Sequence, residues 1–575
     1  MAPRGTTRAA AAKPAKPEPK EVTVNGTGAG RGRAKKSETP AVNGTVVPPA
    51  KKAAAGKSTT SRVLRSGAYA SRAAPRARTK KEETPAPAPK HVEKRKKDEE
   101  SEPEPEPEHK PKKAKTKAVK EPPKPQPKGP RRVHGKKTEI NAIRYTVPLK
   151  VFVFGEGSSG ELGLGATNRA IDVKRPRFNE ALTNMSVVRI ATGGMHVVAL
   201  TKDNQILTWG VNDNGALGRD TSGADVLRDI DDDDSDSEDE TGGLNEKEAT
   251  PTAISMEHFP EDTVFVDIAA GDSCSFALTT EGAVYGWGTF RKNEGILGFE
   301  RTLNTANTPV YIEGVKKVTQ IACGTNHVLT LDKDKHVYAW GNGQQNQLGR
   351  RVTERNLIEA LLPNRVGFHD SSVKRPSQRI VKIACGDYHG IAIGEDGHIW
   401  TWGANNYCET GHPENAGAEG ATVLTPRVVH SLEGKNVISV EGGSHHNIAI
   451  TASGAVLVWG RCDGSQTGIP PDQIEAIHDE TRLQRNHGKP KILIVPTPVP
   501  GLKDVVTGAC GPEHTIVITK GGKAYSWGFS ANYQTGQGTE DDIETPTLID
   551  NTAVRDTKLT WAGAGGQYSI LASEI

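Results

Sequence analysis

Five histidines share one local setting, with a glycine three residues before each: Gly193/His196, Gly324/His327, Gly386/His389, Gly443/His446 and Gly511/His514. Imidazoles ligate metals and move protons, so their grouping decides which chemistry is open. These five are strung one per segment, which sets them around a ring and far apart, whereas a metal site needs converging ligands; no metal is expected. Each ring is expected instead to hydrogen-bond neighbouring backbone where a strand begins. Cys274, Cys323, Cys385 and Cys510 lie in or beside the same segments, and Cys408 and Cys462 lie elsewhere. No Cys-x-x-Cys occurs, so neither a zinc site nor a disulfide framework is indicated, and free thiols point to a reducing compartment. There is no Gly-x-Ser-x-Gly elbow, no phosphate-binding glycine loop and no Glu-x-x-His on a plausible helix. The expectation is a binding platform without cofactor or covalent chemistry.

The elements that hold these residues are copies of one unit. The stretch from Cys323 to Gly349 reads as an apolar alternating run (His327 to Leu331), a polar turn (Asp332 to Lys335), a second run ending in Trp340-Gly341, and a connector ending in Leu348-Gly349. Two short strands with a tight turn make a hairpin, which cannot bury its own apolar face. The Trp-Gly ending recurs at Trp209, Trp287, Trp402, Trp459 and Trp527, with Phe154-Gly155 as a weaker first copy. Connectors recur as GELG from Gly160, GALG from Gly215, GILG from Gly295, CETG from Cys408, SQTG from Ser465 and YQTG from Tyr533, each followed by a proline and a new strand. Seven units of about four strands predict an all-β, seven-bladed β-propeller over residues 145–575. The first copy lacks a Gly-x-x-His strand and the last lacks a Trp-Gly strand. The C-terminal strand is therefore expected to pair beside the N-terminal one and close the ring, removing two open sheet edges.

Charge divides the chain. Residues 1–140 carry 36 Lys and Arg against 15 Asp and Glu, while the remainder carries 38 against 55. Residues 1–137 hold Tyr69 as their single Phe, Tyr or Trp, too little apolar surface to offset chain entropy, and are expected to be a disordered basic tail. One reading of such a tail is a solvated spacer. The other rests on clustering: Lys94, Arg95, Lys96 and Lys97, then Lys112, Lys113 and Lys115, flank an acidic spacer in the manner of a bipartite nuclear-import signal read by an import receptor. The remaining basic residues suit DNA phosphates without sequence preference. No apolar run is long enough to span a membrane. Two insertions interrupt the repeats. One, about 219–250, holds an acidic run at 229–240 with Ser235 and Ser237, read either as a solvated loop or as a partner for basic surfaces. The other, about 470–490, reads as a surface loop.

Two features bear on partners. The variable positions inside the Gly-x-x-His turns, including Asp272-Ser273, Thr325-Asn326, Asp387-Tyr388 and Ser444-His445, fall in loops on one face of a rigid ring, where a propeller presents contacts. The connector WGTFRKNEGILG from Trp287 is two residues longer than WGNGQQNQLG from Trp340. It is either an ordinary length variant or a charged hairpin projecting from that face.

The repeated unit of Gly-x-x-His, strand, turn, strand ending in Trp-Gly, then Gly-x-Leu-Gly resembles the regulator of chromosome condensation family over residues 145–575, and the long acidic insertion resembles its fungal members. The resemblance implies guanine-nucleotide exchange on the nuclear GTPase Ran, on chromatin. It implies that Phe290, Arg291, Lys292, Asn293 and Glu294 form a wedge beside the phosphate-binding region of the GTPase, and that Asp272, Asn326 and His445 belong to the exchange face. The family pattern has Asp where this chain has Asn326, which keeps the acceptor and loses the charge. Lys374 and Arg375 fall where the family carries a loop against histones of the nucleosome. The competing reading is a chromatin-bound propeller scaffold without exchange activity.

Overall fold

Each repeat gives one antiparallel sheet, and seven sheets succeed one another around an axis. The structure, a computed structural model, describes residues 138–223, 243–374 and 377–575. The tail 1–137 with its import clusters, the acidic run 229–240 and Arg375 lie outside the described residues.

Blade three shows the plan. Its strands Val318–Cys323, His327–Asp332, Val337–Gly341 and Asn364–Arg365 are hydrogen-bonded in that order from the axis outward. The innermost strand of every blade packs beside the innermost strands of its two neighbours, and Trp561–Ala564 of blade seven meets Val187–Thr192 of blade one. The ring closes as expected. Blade seven takes Trp561–Ala564 and Tyr568–Glu574 from the C-terminus and Leu149–Glu156 and Asp172–Asn179 from the N-terminus, with Val151 opposite Ala572.

The apolar alternation does not sort the core from solvent. His327–Asp332 is buried at every position, as are the corresponding strands His196–Thr201 and Cys274–Thr279. A second strand has a neighbouring blade against each of its faces, so both sets of alternating side chains are covered, and Thr330 is as buried as Leu329. The tryptophans fill the space between blades, as expected, and also bolt them together. The indole N–H donates to a connector carbonyl of the preceding blade: Trp209 to Glu161, Trp287 to Ala216, Trp402 to Gln347, Trp459 to Glu409 and Trp527 to Gln466, at 2.8–3.1 Å.

The repeated glycines have two separate reasons. A Cβ on Gly324 would lie 2.5 Å from the Gly386 carbonyl oxygen of the next blade, so the turn glycine permits a close approach. Gly341 of the Trp-Gly pair has φ +111°, where a side chain is strained. Around the rim, six backbone N–H groups bond the next blade's turn: Gly194 to Gly271, Asp272 to Thr325, Thr325 to Asp387, Asp387 to Gly443, Ser444 to Pro512 and Gly566 to Gly194. The seventh place is Pro512, which has no N–H to give.

The segment 470–490 is more than a surface loop. It contains the helix Pro471–Glu475 and the strand Leu483–Asn486, which adds a fifth strand to blade five by pairing with Lys489–Pro498. Buried Ile474 and Leu483 anchor it, and Arg485 binds Glu475 at 2.7 Å.

Before the first strand, residues 138–148 cross the end of the ring opposite the turns. Asn141 Nδ2 donates to the carbonyls of Thr279 and Val318, both at 2.9 Å, and the Arg189 guanidinium lies 4.9 Å from the Tyr145 ring.

Candidate functional site: the turn face and its hairpin

The chain direction puts the Gly-x-x-His turns and the connectors at the same ends of the strands, so both line one face. The histidines that define the turns work between blades, and with side chains rather than the backbone partners expected. Nε2 pairs with the residue that follows the turn position in the next blade: His196 with Ser275 (2.8 Å), His389 with Asn447 (2.7 Å), His446 with Thr515 (2.8 Å) and His514 with Ser569 (2.9 Å). The equivalent position for His327 is Gly390, which has no side chain to offer and where Trp402 occupies the space of a Cβ at 2.4 Å, and neither ring nitrogen of His327 has a hydrogen-bond partner. Burial drives these imidazoles neutral: His196 and His514 are lowered to about 4, His327 and His446 to about 3. Among the described residues no cluster of three or more His, Cys, Asp or Glu is arranged to hold a metal.

The longer connector is a hairpin. Phe290–Lys292 pairs with Gly295–Gly298, Arg291 opposite Ile296, in a two-stranded sheet separate from the blades. Phe290 does not reach a partner surface. It is fully buried, stacked with Phe299 at 5.8 Å and with Phe276 at 6.3 Å. Arg291 and Lys292 are half-buried and exposure starts at Asn293, and Lys292 pairs with Glu294 at 3.3 Å, holding that carboxyl below its usual range. Ile296, on the returning strand, is 49% exposed, an apolar side chain on an otherwise charged projection.

Blade three holds this hairpin. Asn326 Oδ1 accepts from the Arg291 N–H at 2.7 Å, and Asn342 Nδ2 donates to the Arg291 carbonyl at 3.1 Å. Gln344 Oε1 accepts from the Asn293 N–H at 3.3 Å, and Asn342 N–H donates to the Asn326 carbonyl at 2.7 Å. Asp272 stands beside these groups: burial pushes its carboxyl up from the usual range, and the Arg291 guanidinium pulls it back down. Asp272, Arg291 and Asn326 are thus brought together at the junction of blades two and three.

His445 lies on the same face in blade five. Its Nδ1 pairs with Glu409 Oε1 at 2.8 Å, and the ring rests 4.5 Å from Tyr407 and 6.4 Å from Tyr388. Glu409, wholly buried, uses Oε2 to accept the Tyr407 N–H at 2.7 Å. Arg461 and Lys491 approach the Tyr407 ring at 5.4 and 5.3 Å. One geometry runs through both halves of the face, since a connector side chain reaches the second turn position of the following blade. Glu409 reaches His445, Gln466 bonds Glu513, and in blade two the hairpin itself lies over Asn326. Sequence reasoning missed Glu409, Asn342, Gln344 and Ile296. The signal available was the recurring second connector position, occupied by Glu161, Ala216, Gln347, Glu409, Gln466 and Gln534.

Lys374 is exposed in the loop that leads into Ile380–Cys385, at the opposite end of the strands, apart from the other candidates. Asp370 shapes that loop by accepting the Ser372 N–H at 2.8 Å and the Val428 N–H at 2.9 Å, which with the Ser372 hydroxyl bring its carboxyl to about 2 despite partial burial.

A closed seven-bladed ring with inter-blade histidines, Trp-Gly bolts and one latched hairpin on its turn face defines a repeat propeller of the regulator of chromosome condensation type. The RCC1-like domain model matches residues 150–571, and the chain belongs to that family. It is 40% identical over 433 residues to the guanine nucleotide exchange factor SRM1 of Saccharomyces cerevisiae, covering 74% of this chain and 87% of that protein. Among solved structures it matches Prp20p of the same yeast, described with its binding to Gsp1p and histones, at 36% identity and a TM-score of 0.66, over 75% of this chain and 92% of that one. It also matches yeast RCC1 (Prp20) bound by Kap60, at 35% identity and a TM-score of 0.66, over 77% and 96%.

Proposed function

We propose that this chain is a guanine-nucleotide exchange factor for the nuclear GTPase Ran, acting on chromatin. The observation that carries the reading is the hairpin Phe290–Gly298, a rigid charged projection fixed at its root by Phe290 and along its backbone by blade three. Beside it the face offers Asp272 and, across the ring, His445 held by Glu409. The name of the SRM1 relative and the Gsp1p binding described for Prp20p support the same assignment.

The mechanism is displacement by differential affinity. A factor that binds the nucleotide-free GTPase more tightly than the loaded form lowers nucleotide affinity by the same factor, because the coupling is reciprocal. The hairpin perturbs the phosphate site while the turn face grips the GTPase, and no bond is made or broken. Enrichment of GTP over GDP then follows from their concentrations. Lys374 and Arg375 are assigned to histones, the basic tail to DNA phosphates, and Lys94–Lys97 with Lys112, Lys113 and Lys115 to an import receptor, which makes exchange nuclear and local. The histone binding and the Kap60 complex described for the yeast relative support the first and last of these assignments.

The test is release of labelled GDP from Ran, with the intact chain and with Arg291 to Glu294 replaced by a short glycine linker. Stimulation by the intact chain and its loss in the variant are expected. No stimulation by the intact chain sinks the exchange reading in favour of a scaffold; full stimulation by the variant sinks the hairpin assignment alone.

A further inference from the structure

We infer that Asn342 and Gln344, together with Asn326, are positioning residues for exchange: blade three sets the angle and rigidity of a hairpin that belongs in sequence to blade two. The inference rests on the exchange reading above, and adds that the efficiency of the hairpin is controlled by residues that do not themselves need to touch the partner.

The geometry is specific. A two-stranded hairpin of three and four residues, with a bulge between Phe290 and Arg291, has few internal bonds of its own and is marginal alone. Its root is fixed by Phe290, but a buried aromatic at one end leaves the direction of the outer residues open to a hinge at the bulge. Both main-chain groups of Arg291, the residue immediately past that bulge, are taken by blade three: the N–H by Asn326 Oδ1 at 2.7 Å and the carbonyl by Asn342 Nδ2 at 3.1 Å. Gln344 Oε1 repeats the grip two residues further out, on the Asn293 N–H, and its Nε2 reaches Glu294 Oε2 at 3.5 Å. The latch is braced in turn, since Asn342 Oδ1 accepts the Gln344 N–H at 2.9 Å. A wedge that must distort a partner's phosphate site has to resist deflection, and preorganisation of this kind supplies the resistance before the partner arrives.

The chemistry of position 326 follows. The bond to Arg291 N–H needs an acceptor and no charge, so Asn performs it as well as Asp. The Arg291 guanidinium has Asp272 as its neighbouring carboxyl, apart from position 326.

The experiment uses the full chain and two readouts. Amide hydrogen exchange of the chain alone reports the latch without any partner. In Asn326→Ala and Asn342→Ala the Arg291 amide, and in Gln344→Ala the Asn293 amide, are expected to exchange at least about tenfold faster while blade amides are unchanged. Steady-state GDP release from Ran then separates positioning from binding: kcat is expected to fall about tenfold in Asn326→Ala and Asn342→Ala with KM for Ran within about threefold, and Asn326→Asp, which restores the acceptor, is expected to recover most of the kcat lost in Asn326→Ala. Unchanged Arg291 exchange overturns the latch. Faster Arg291 exchange with unchanged kcat overturns the positioning role. Collapse of blade amides in the alanine variants together with loss in Asn326→Asp overturns it as well, by showing a general structural requirement. A parent chain that fails to release GDP removes the exchange reading, and the inference with it, while the amide data still report whether the latch exists.

Discussion

At the scale of single residues, the most informative side chain on the turn face is one whose own position is unexposed. Glu409 is fully buried, and a buried carboxylate is tolerated only when its oxygens are used. Here Oε1 holds His445 Nδ1 and Oε2 holds the Tyr407 N–H, so one carboxylate fixes both the imidazole and the loop that carries its aromatic neighbour. Removing it leaves a buried N–H unpaired and the imidazole free to rotate, a loss of about 1–3 kcal/mol in the groups it orients. Glu409→Ala is therefore expected to lower kcat/KM for stimulated GDP release from Ran roughly tenfold, while Glu409→Gln, which keeps an acceptor for Nδ1, loses less. Equal activity of both variants and the parent would separate His445 from exchange. The contrast with Glu161, in the same connector position of blade seven, shows why the partner matters. Met195 stands where His445 would be, Glu161 Oε1 has no partner, and burial pushes that carboxyl up to about 7.

At the scale of elements, the inter-blade histidines make the ring sensitive to acid. An unfolded imidazole titrates near 6.5, whereas His196, His327, His446 and His514 resist protonation in the folded state down to about 4, 3, 3 and 4. Below pH 6.5 the unfolded chain binds protons that the folded chain refuses, so stability falls as pH falls, by about 2 kcal/mol per histidine at pH 5. Buried carboxyls act in the opposite direction: Glu161, raised to about 7, costs stability as pH rises from 4.5, and Asp272 and Glu441 are raised too, while His389 and His412, the latter lowered to about 4, add to the imidazole side. The urea midpoint is expected to drop clearly between pH 7 and pH 5, and less so in His514→Asn; a midpoint independent of pH would contradict the neutral-ring account. The same elements show what was legible beforehand. Gly-x-x-His and Trp-Gly could be read because most blades repeat them: the glycine to let two backbones approach, the indole to bolt a connector. The histidines' partners could not, because Ser275, Asn447, Thr515 and Ser569 share a hydrogen-bonding role without sharing an identity. The second connector position was hidden for the same reason. The family resemblance groups Phe290 with the wedge, and only packing reveals it as the root.

At the scale of the whole molecule, the ring puts the residues proposed for exchange and the one proposed for histones at opposite ends of its strands. The turns, the connectors and the hairpin lie at one end of the strands, whereas residues 138–148 enter across the other, pinned by Asn141 to Thr279 and Val318 and meeting Arg189 through Tyr145. Lys374 is at that second end too. The blades, rather than the entering segment, carry the packing that fixes the exchange face, because every latch to the hairpin comes from blade three and the ring is closed by Leu149–Glu156 pairing with Tyr568–Glu574. Residues 1–137 carry 36 Lys and Arg against 14 Asp and Glu, and the closing strand pair lies wholly within the described residues. Deleting residues 1–137 is expected to leave GDP release from Ran in dilute solution within about twofold of the intact chain. The same deletion is expected to weaken DNA binding, and with it the steepness of its salt dependence, since each phosphate that is no longer neutralised takes about one unit off the slope of log K against log salt. Both quantities come from one preparation, release rates with Ran alone and a salt titration with a DNA duplex. Collapse of the release rate would mean that the tail reaches the exchange face and that exchange and DNA binding are not divided between the faces; an unchanged salt slope would mean that the propeller itself binds the phosphates.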